Sequence, residues 1–149
     1  MRRTKRAQAL VEMCLMMPLL MLVIVGGVID FGLAFYNLLT LQQLANDSAQ
    51  WAAESNGSTG VTSLTQVQGF VNGKKPSYWA SANLTVAYNR NIPLATSATG
   101  GKAAQVTITY MNPFFTPLYQ AGLQVVSGKP SLPLSVRAVY QIPQIVTNR

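Results

Sequence analysis

Apolar positions concentrate in one long N-terminal segment, followed by a helical stripe. Residues 13–29 carry no charge, and together with residues 31–36 they reach the about 20 residues that a membrane-spanning helix needs. Beyond this segment, small or apolar residues recur at steps of three and four, as on one helix face: Leu38, Leu41, Ala45, Ser48 and Ala52. We therefore expect a continuous helix over residues 8–55, with 8–36 in the membrane and 37–55 as an extension.

Four residues interrupt the apolar part of this helix. Pro18 removes one backbone hydrogen bond, and Gly26, Gly27 and Gly32 weaken the helix locally. Membrane helices tolerate both residue types, so one interpretation is purely structural. The alternative is that these positions supply flexibility when the helix leaves the bilayer.

The pattern after residue 55 predicts a small mixed domain over residues 56–149. Ser63 and Gln66 fit a capping box at the start of a short helix, about 64–72. Three segments then alternate apolar and polar residues as strands do, at 84–88, 106–110 and 134–140. We expect an antiparallel sheet of three or four strands packed against the long helix, which is an α+β fold.

The charged residues exclude most catalytic chemistry. The 149 residues contain 11 Lys and Arg, 4 Asp and Glu and no His, for a formal net charge of +7. All acids precede residue 55, and a single Cys leaves no multi-cysteine metal site. General acid–base catalysis usually needs a carboxylate or an imidazole. We therefore expect no enzyme, no cofactor and no metal.

A basic leader precedes the apolar segment and predicts its orientation. Residues 1–7 hold four cations, Arg2, Arg3, Lys5 and Arg6, which favour a cytoplasmic N-terminus and an exported remainder. A cleaved secretory signal would need a small-x-small site after the apolar core, and a lipoprotein would need its cysteine there. Cys14 instead stands at the start of the apolar segment. A retained signal anchor fits better than either.

Glu12 is an unusual residue at the head of the apolar segment. A carboxylate there costs about 1–3 kcal/mol of insertion free energy, depending on depth. An intramembrane carboxylate is a functional hypothesis by default. The alternative is that Glu12 lies in the interface among the leader arginines.

The N-terminal motifs resemble the start of TadE-like pseudopilins, the minor pilin-like proteins of tight-adherence (Flp) pilus systems. The resemblance is carried by three runs, which are AQALVE at 7–12, LMMPLL at 15–20 and IDFG at 29–32. A weaker resemblance covers the strand and the Pro/Phe-rich loop at 110–118, with the apolar, glycine-containing loop and the strand start at 132–136 that follow. Residues 56–100 carry no resemblance.

The resemblance implies a pilin-like layout and a processing site. Cleavage between Ala7 and Gln8 by a prepilin peptidase would make Glu12 the fifth mature residue, in the place where it pairs with the N-terminus of a neighbouring subunit. Family members usually carry Gly at the position of Ala7 and often an aromatic residue at that of Met13. The implied protein is a pilus assembly component, single-pass in a bacterial inner membrane before it enters a pilus. Its partners are other pilins and pseudopilins, the assembly platform, the peptidase and membrane lipid.

Further candidate contacts and one rival function stay open. Asp30, Phe114 and Phe115 are candidate partner contacts, although loop aromatics are more often buried. The rival is a membrane-anchored extracytoplasmic binding domain unrelated to pili. Its basic residues would attract nucleic acid or acidic polysaccharide, but they are scattered and no nucleic-acid motif accompanies them.

Overall fold

The protein folds into three helices and a three-stranded sheet over the described residues. The structure, a computed structural model, describes residues 2–59, 62–93 and 101–143, without the side chains of residues 2–7, 56–59 and 91. In chain order the elements are α1 (Arg2–Thr59), α2 (Leu64–Lys74), a 3₁₀ turn (Ser81–Asn83), β1 (Leu84–Pro93), β2 (Lys102–Pro113), α3 (Pro117–Ser127) and β3 (Ser131–Gln141). The predicted α+β fold with a long N-terminal helix is confirmed.

Helix α1 is longer at both ends than the sequence pattern indicated. It begins at Arg2 rather than Gln8, and it ends at Thr59 rather than Ser55. Asn56 and Gly57 lower helix propensity without forbidding the helix, so they do not stop it. The helix also continues through Pro18.

The described residues form two compact units, and α1 contributes to both. The N-terminal unit contains residues 2–35 and Pro113–Leu132, and the sheet unit contains Tyr36–Asn112 with the chain from Pro133 onward. Helix α3 therefore belongs to the N-terminal unit, and most of the sheet belongs to the sheet unit.

The sheet follows the order β1-β2-β3. Strands β1 and β2 pair antiparallel, with Leu84 opposite Tyr110 and Val86 opposite Ile108, and a register shift lies between Asn89 and Ile92. All three predicted strands are present and each is longer than predicted. Every second residue from Val106 to Tyr110 is buried, which confirms the alternation in the sequence.

The core of the sheet unit is built from the helical stripe and this sheet face. Leu41, Ala45, Ser48 and Ala52 are fully buried, so the amphipathic pattern predicted the correct face of α1. Leu41, Ala45 and Ala52 pack with α2, Trp79 and the inward residues of β2. Small alanines on α1 allow close approach of the helix and the sheet.

Helix α2 is confirmed, whereas α3 was not predicted. The Ser63 hydroxyl accepts the Gln66 N–H, the Gln66 side chain accepts the Ser63 N–H, and the helix ends at Lys74. The sequence predicted an apolar, glycine-containing loop after the Pro/Phe-rich segment, but Pro117–Ser127 folds as α3. Pro117 stands at its first turn, and Gly128 ends it with a positive φ of 71°. Gly122 inside the segment lowered the helical signal.

Candidate membrane-anchoring and assembly sites

The apolar part of α1 exposes its side chains on every face. Up to residue 30, the exceptions are the buried positions Gly26, Gly27 and Asp30. From Leu10 to Val25 the large apolar side chains are between 38% and 71% exposed. Only 6% of the most apolar 18-residue window is buried within the described chain, whereas the core helix of a soluble domain would be mostly buried. By length and composition this helix can cross a membrane, and it is consistent with a membrane anchor.

The predicted processing and assembly residues lie on this exposed helix. Gln8, Glu12 and Cys14 are all exposed. Ala7 lies within α1, but its side-chain environment falls outside the described residues. The helix therefore presents the Glu12 carboxylate outward.

Asp30 is 1% exposed, the lowest value among the charged side chains that the structure describes in the N-terminal unit. Its carboxylate accepts the backbone N–H of Phe115 at 2.7 Å and that of Thr116 at 3.2 Å from each oxygen, and it also accepts the Thr116 hydroxyl. Thr116 is the N-cap residue of α3 but makes no side-chain cap of its own. Asp30 thus supplies the acceptor from a distant part of the chain, at the positive end of the helix dipole.

An aromatic cluster surrounds this cap. The rings of Phe114 and Tyr119 each meet Phe31 edge-on, with centroids 5.9 Å away. Phe114 is only 4% exposed, whereas the neighbouring Phe115 is 78% exposed. Of the three candidate partner contacts, Asp30 and Phe114 are enclosed within the chain and Phe115 faces outward.

Gly26 and Gly27 of α1 form a notch that receives the start of α3. A Cβ on Gly27 would stand 2.6 Å from the Tyr119 hydroxyl, and one on Gly26 would stand 3.3 Å from Thr116 Cγ2. The same hydroxyl donates to the Val23 carbonyl at 2.8 Å. Gly26 and Gly27 therefore allow close packing, while their predicted role in helix flexibility, shared with Pro18, stays a prediction.

A buried amide network in the sheet unit escaped the sequence analysis. Asn37 Nδ2 donates to Asn112 Oδ1 at 2.6 Å, while Asn37 Oδ1 accepts from the Tyr78 hydroxyl at 3.0 Å and from Trp79 Nε1 at 3.1 Å. Asn37 and Asn112 are 6% and 2% exposed. In the sequence, Asn37 and Asn112 are single asparagines beside apolar residues, and this does not reveal that they pair.

A pair of stacked rings adjoins this network, and burial there alters the ionisation of Tyr110. The Trp79 and Tyr110 rings stack with centroids 4.4 Å apart. Burial raises the pKa of the Tyr110 phenol, and the nearby Tyr78 phenol raises it further. The pKa of Tyr78 is raised as well, mainly by burial and then by Tyr36.

Together these features describe an α+β protein whose long, outwardly apolar N-terminal helix is consistent with a membrane anchor. The family model described as TadE-like protein matches residues 7–50, which confirms the resemblance over the segment that contains Glu12 and Asp30. The match covers 44 of the 149 residues, so it makes this N-terminal segment similar to TadE-like proteins. No curated protein and no solved structure matches the chain.

Proposed function

We propose that the protein is a minor pseudopilin, a non-enzymatic assembly component of a tight-adherence type IV pilus. The observation that carries the proposal is the TadE-like match over residues 7–50, which contains Glu12 five positions after Ala7 on an exposed apolar helix. The protein would be held in the inner membrane before assembly and would support pilus biogenesis and surface adhesion. Its partners would be other pilins and pseudopilins, the assembly platform and the prepilin peptidase.

Leader removal is the first step of this proposal. Cleavage between Ala7 and Gln8 removes Arg2, Arg3, Lys5 and Arg6 and lowers the formal net charge from +7 to +3. Those cations favour retention of the N-terminus on the cytoplasmic side. The cut would therefore also remove the strongest determinant of that orientation. It would leave a new α-amino group on Gln8, at the start of the apolar helix.

Glu12 gives that amino group a partner on a neighbouring subunit. An exposed carboxylate in an apolar setting is unfavourable alone, and pairing with a cation offsets part of that cost. Because the carboxylate faces outward, a second helix can approach it. The pairing would fix the register between subunits more than it would add net stability.

N-terminal sequencing and intact mass, on protein from native host membranes, test the processing step. The expected start is Gln8, and it should disappear when the prepilin peptidase is deleted. A start at Met1 that is indifferent to the peptidase would leave a plain signal anchor and favour the rival, an anchored binding domain. A start well beyond Tyr36 would mean ordinary secretion and would overturn the proposal.

Glu12→Gln tests the pairing. We expect it to be processed normally but to lose co-purification with partner pilins. Glu54→Gln is the matched control, because Glu54 is an exposed glutamate near the far end of α1 that accepts a hydrogen bond from Gln50 at 2.8 Å. Normal assembly of Glu12→Gln would contradict the role given to the carboxylate.

A further inference from the structure

Helix α3 has no core of its own. None of its 11 residues is buried, and Val125 and Val126 are 87% and 86% exposed, more than any large apolar side chain described in α1. A helix of this length is marginal in water without a packed face. Tyr119 packs on α1, but the described chain leaves the side of α3 that carries Val125 and Val126 uncovered.

The polar and apolar residues of α3 occupy opposite sides. Gln120, Gln124 and Ser127 follow one another at steps of four and three and form a polar stripe. Apolar or small residues fill the rest of the surface: Leu118, Tyr119, Ala121, Gly122, Leu123, Val125 and Val126. This is the pattern of a helix that lies at a boundary between water and an apolar phase.

The segment is also free of charge and satisfies many of its polar groups internally. Residues 103–128 contain no Asp, Glu, Lys or Arg, and Lys129 follows directly. The Gln120 side chain donates to the Phe114 carbonyl at 2.6 Å, and the Ser127 hydroxyl donates to the Leu123 carbonyl at 2.8 Å. Asp30 accepts the N–H groups of Phe115 and Thr116 at the start of the helix. Internal pairing of this kind is what an apolar environment requires.

The place of α3 along α1 identifies the apolar phase. Tyr119 donates to the Val23 carbonyl, and Thr116 packs on Gly26, so α3 contacts the distal part of the uncharged segment over residues 13–29. An open apolar groove of about 470 Å³ there is lined by Leu22, Val25 and Ile29 of α1 and by Leu118 of α3. The exposed apolar surface thus runs without interruption from the membrane anchor onto α3.

We infer that α3 is a second membrane-embedded element, an interfacial helix in the bilayer leaflet at the distal end of the α1 anchor. Val125, Val126 and Phe115 enter the acyl-chain region, the Gln120–Gln124–Ser127 stripe faces the headgroups, and Lys129 reaches anionic phosphates. This inference rests on α1 spanning the membrane and not on a role in pili, so it stands or falls separately from the proposed assembly function.

Cysteine scanning of the full chain tests the inference. In a Cys14→Ser background, single cysteines at 124, 125, 126 and 127 carry an environment-sensitive fluorophore. The protein is reconstituted in phosphatidylethanolamine and phosphatidylglycerol vesicles. All four positions are exposed, so the substitutions leave the packing intact.

We expect Val125→Cys and Val126→Cys to show a blue shift, strong quenching by nitroxide lipid and little quenching by iodide. Gln124→Cys and Ser127→Cys, the matched controls on the polar stripe, should show the reverse balance. Equal iodide quenching at all four positions would overturn the inference. Protection of 125 and 126 from both quenchers, increasing with protein density in the bilayer, would overturn it in favour of a second copy of the chain.

Discussion

Asp30 caps a helix whose N-cap residue, Thr116, lies 86 residues further along the chain. Both carboxylate oxygens accept the Thr116 N–H at 3.2 Å, and the Thr116 hydroxyl donates to the same group. The carboxylate is 1% exposed, so its burial is compensated by hydrogen bonds and by the helix dipole. One acid at the end of the apolar segment thus fixes the start of α3 against α1.

Replacing this acid should loosen α3. In Asp30→Ala the Phe115 and Thr116 N–H groups lose their acceptor, and loss of a cap costs about 1–2 kcal/mol. We expect faster amide hydrogen exchange across Pro117–Ser127 in bilayer-reconstituted protein, by roughly tenfold, as this free energy implies. Asp30→Asn keeps one oxygen acceptor and should have a smaller effect.

Asp47→Ala is the matched control for charge, because Asp47 is an exposed acid on the same helix. It should leave exchange in α3 unchanged. If Asp30→Ala and Asp47→Ala gave the same exchange pattern, the cap would not be what orders α3.

The glycine notch predicts a second, steric effect. Gly27→Ala would place a Cβ 2.6 Å from the Tyr119 hydroxyl, so the ring must move and its hydrogen bond to the Val23 carbonyl must lengthen or break. We expect Tyr119 to become more accessible to a tyrosine-directed nitration reagent. The flexible ring can shift, so the change should stay local.

Gly32→Ala is the control, since a Cβ on Gly32 would meet nothing within 4 Å. Helix propensity alone makes it neutral or stabilising by up to about 1 kcal/mol. Unchanged nitration of Tyr119 in Gly27→Ala would show that the notch does not position this ring.

The sequence revealed those features that depend on local periodicity. The stripe from Leu41 to Ala52, the capping box at Ser63 and the alternation at Val106 each involve neighbouring residues, and each is confirmed. Helix α3 was missed because its N-terminal acceptor, Asp30, is remote in sequence and Gly122 weakened its pattern. Pairings such as Asp30 with Thr116 depend on tertiary approach, which no local pattern contains.

Removing the amide of Asn37 should destabilise the sheet unit. Asn37→Ala leaves the Tyr78 hydroxyl, the Trp79 indole N–H and the Asn112 amide without this partner. Buried groups without partners cost about 1–3 kcal/mol each, and partial relaxation should reduce the total to about that of one or two groups. We expect a lower denaturant midpoint, measured by near-UV circular dichroism in detergent.

Asn72→Ala provides the comparison, because Asn72 is an exposed asparagine within α2. Alanine favours a helix, so this variant should be neutral or slightly stabilised. Equal midpoints for Asn37→Ala and wild type would mean that water or a rearranged side chain replaces the amide.

Raised tyrosine pKa values predict a loss of stability in alkali. Burial raises the pKa of Tyr110, with Tyr78 adding to it, so the folded state holds the phenolic proton more tightly than the unfolded state does. The resulting stabilisation is complete below the unfolded pKa of about 10 and is lost as pH rises through the folded value. Tyr110→Phe keeps the ring that stacks on Trp79 but removes the titrating group, so its free energy of unfolding should fall less between about pH 9 and about pH 11.

Tyr140→Phe, at a tyrosine that is 44% exposed, is the control and should follow wild type. Denaturant titrations across this range measure the slopes, and parallel curves for wild type and Tyr110→Phe would assign the alkaline loss to other groups.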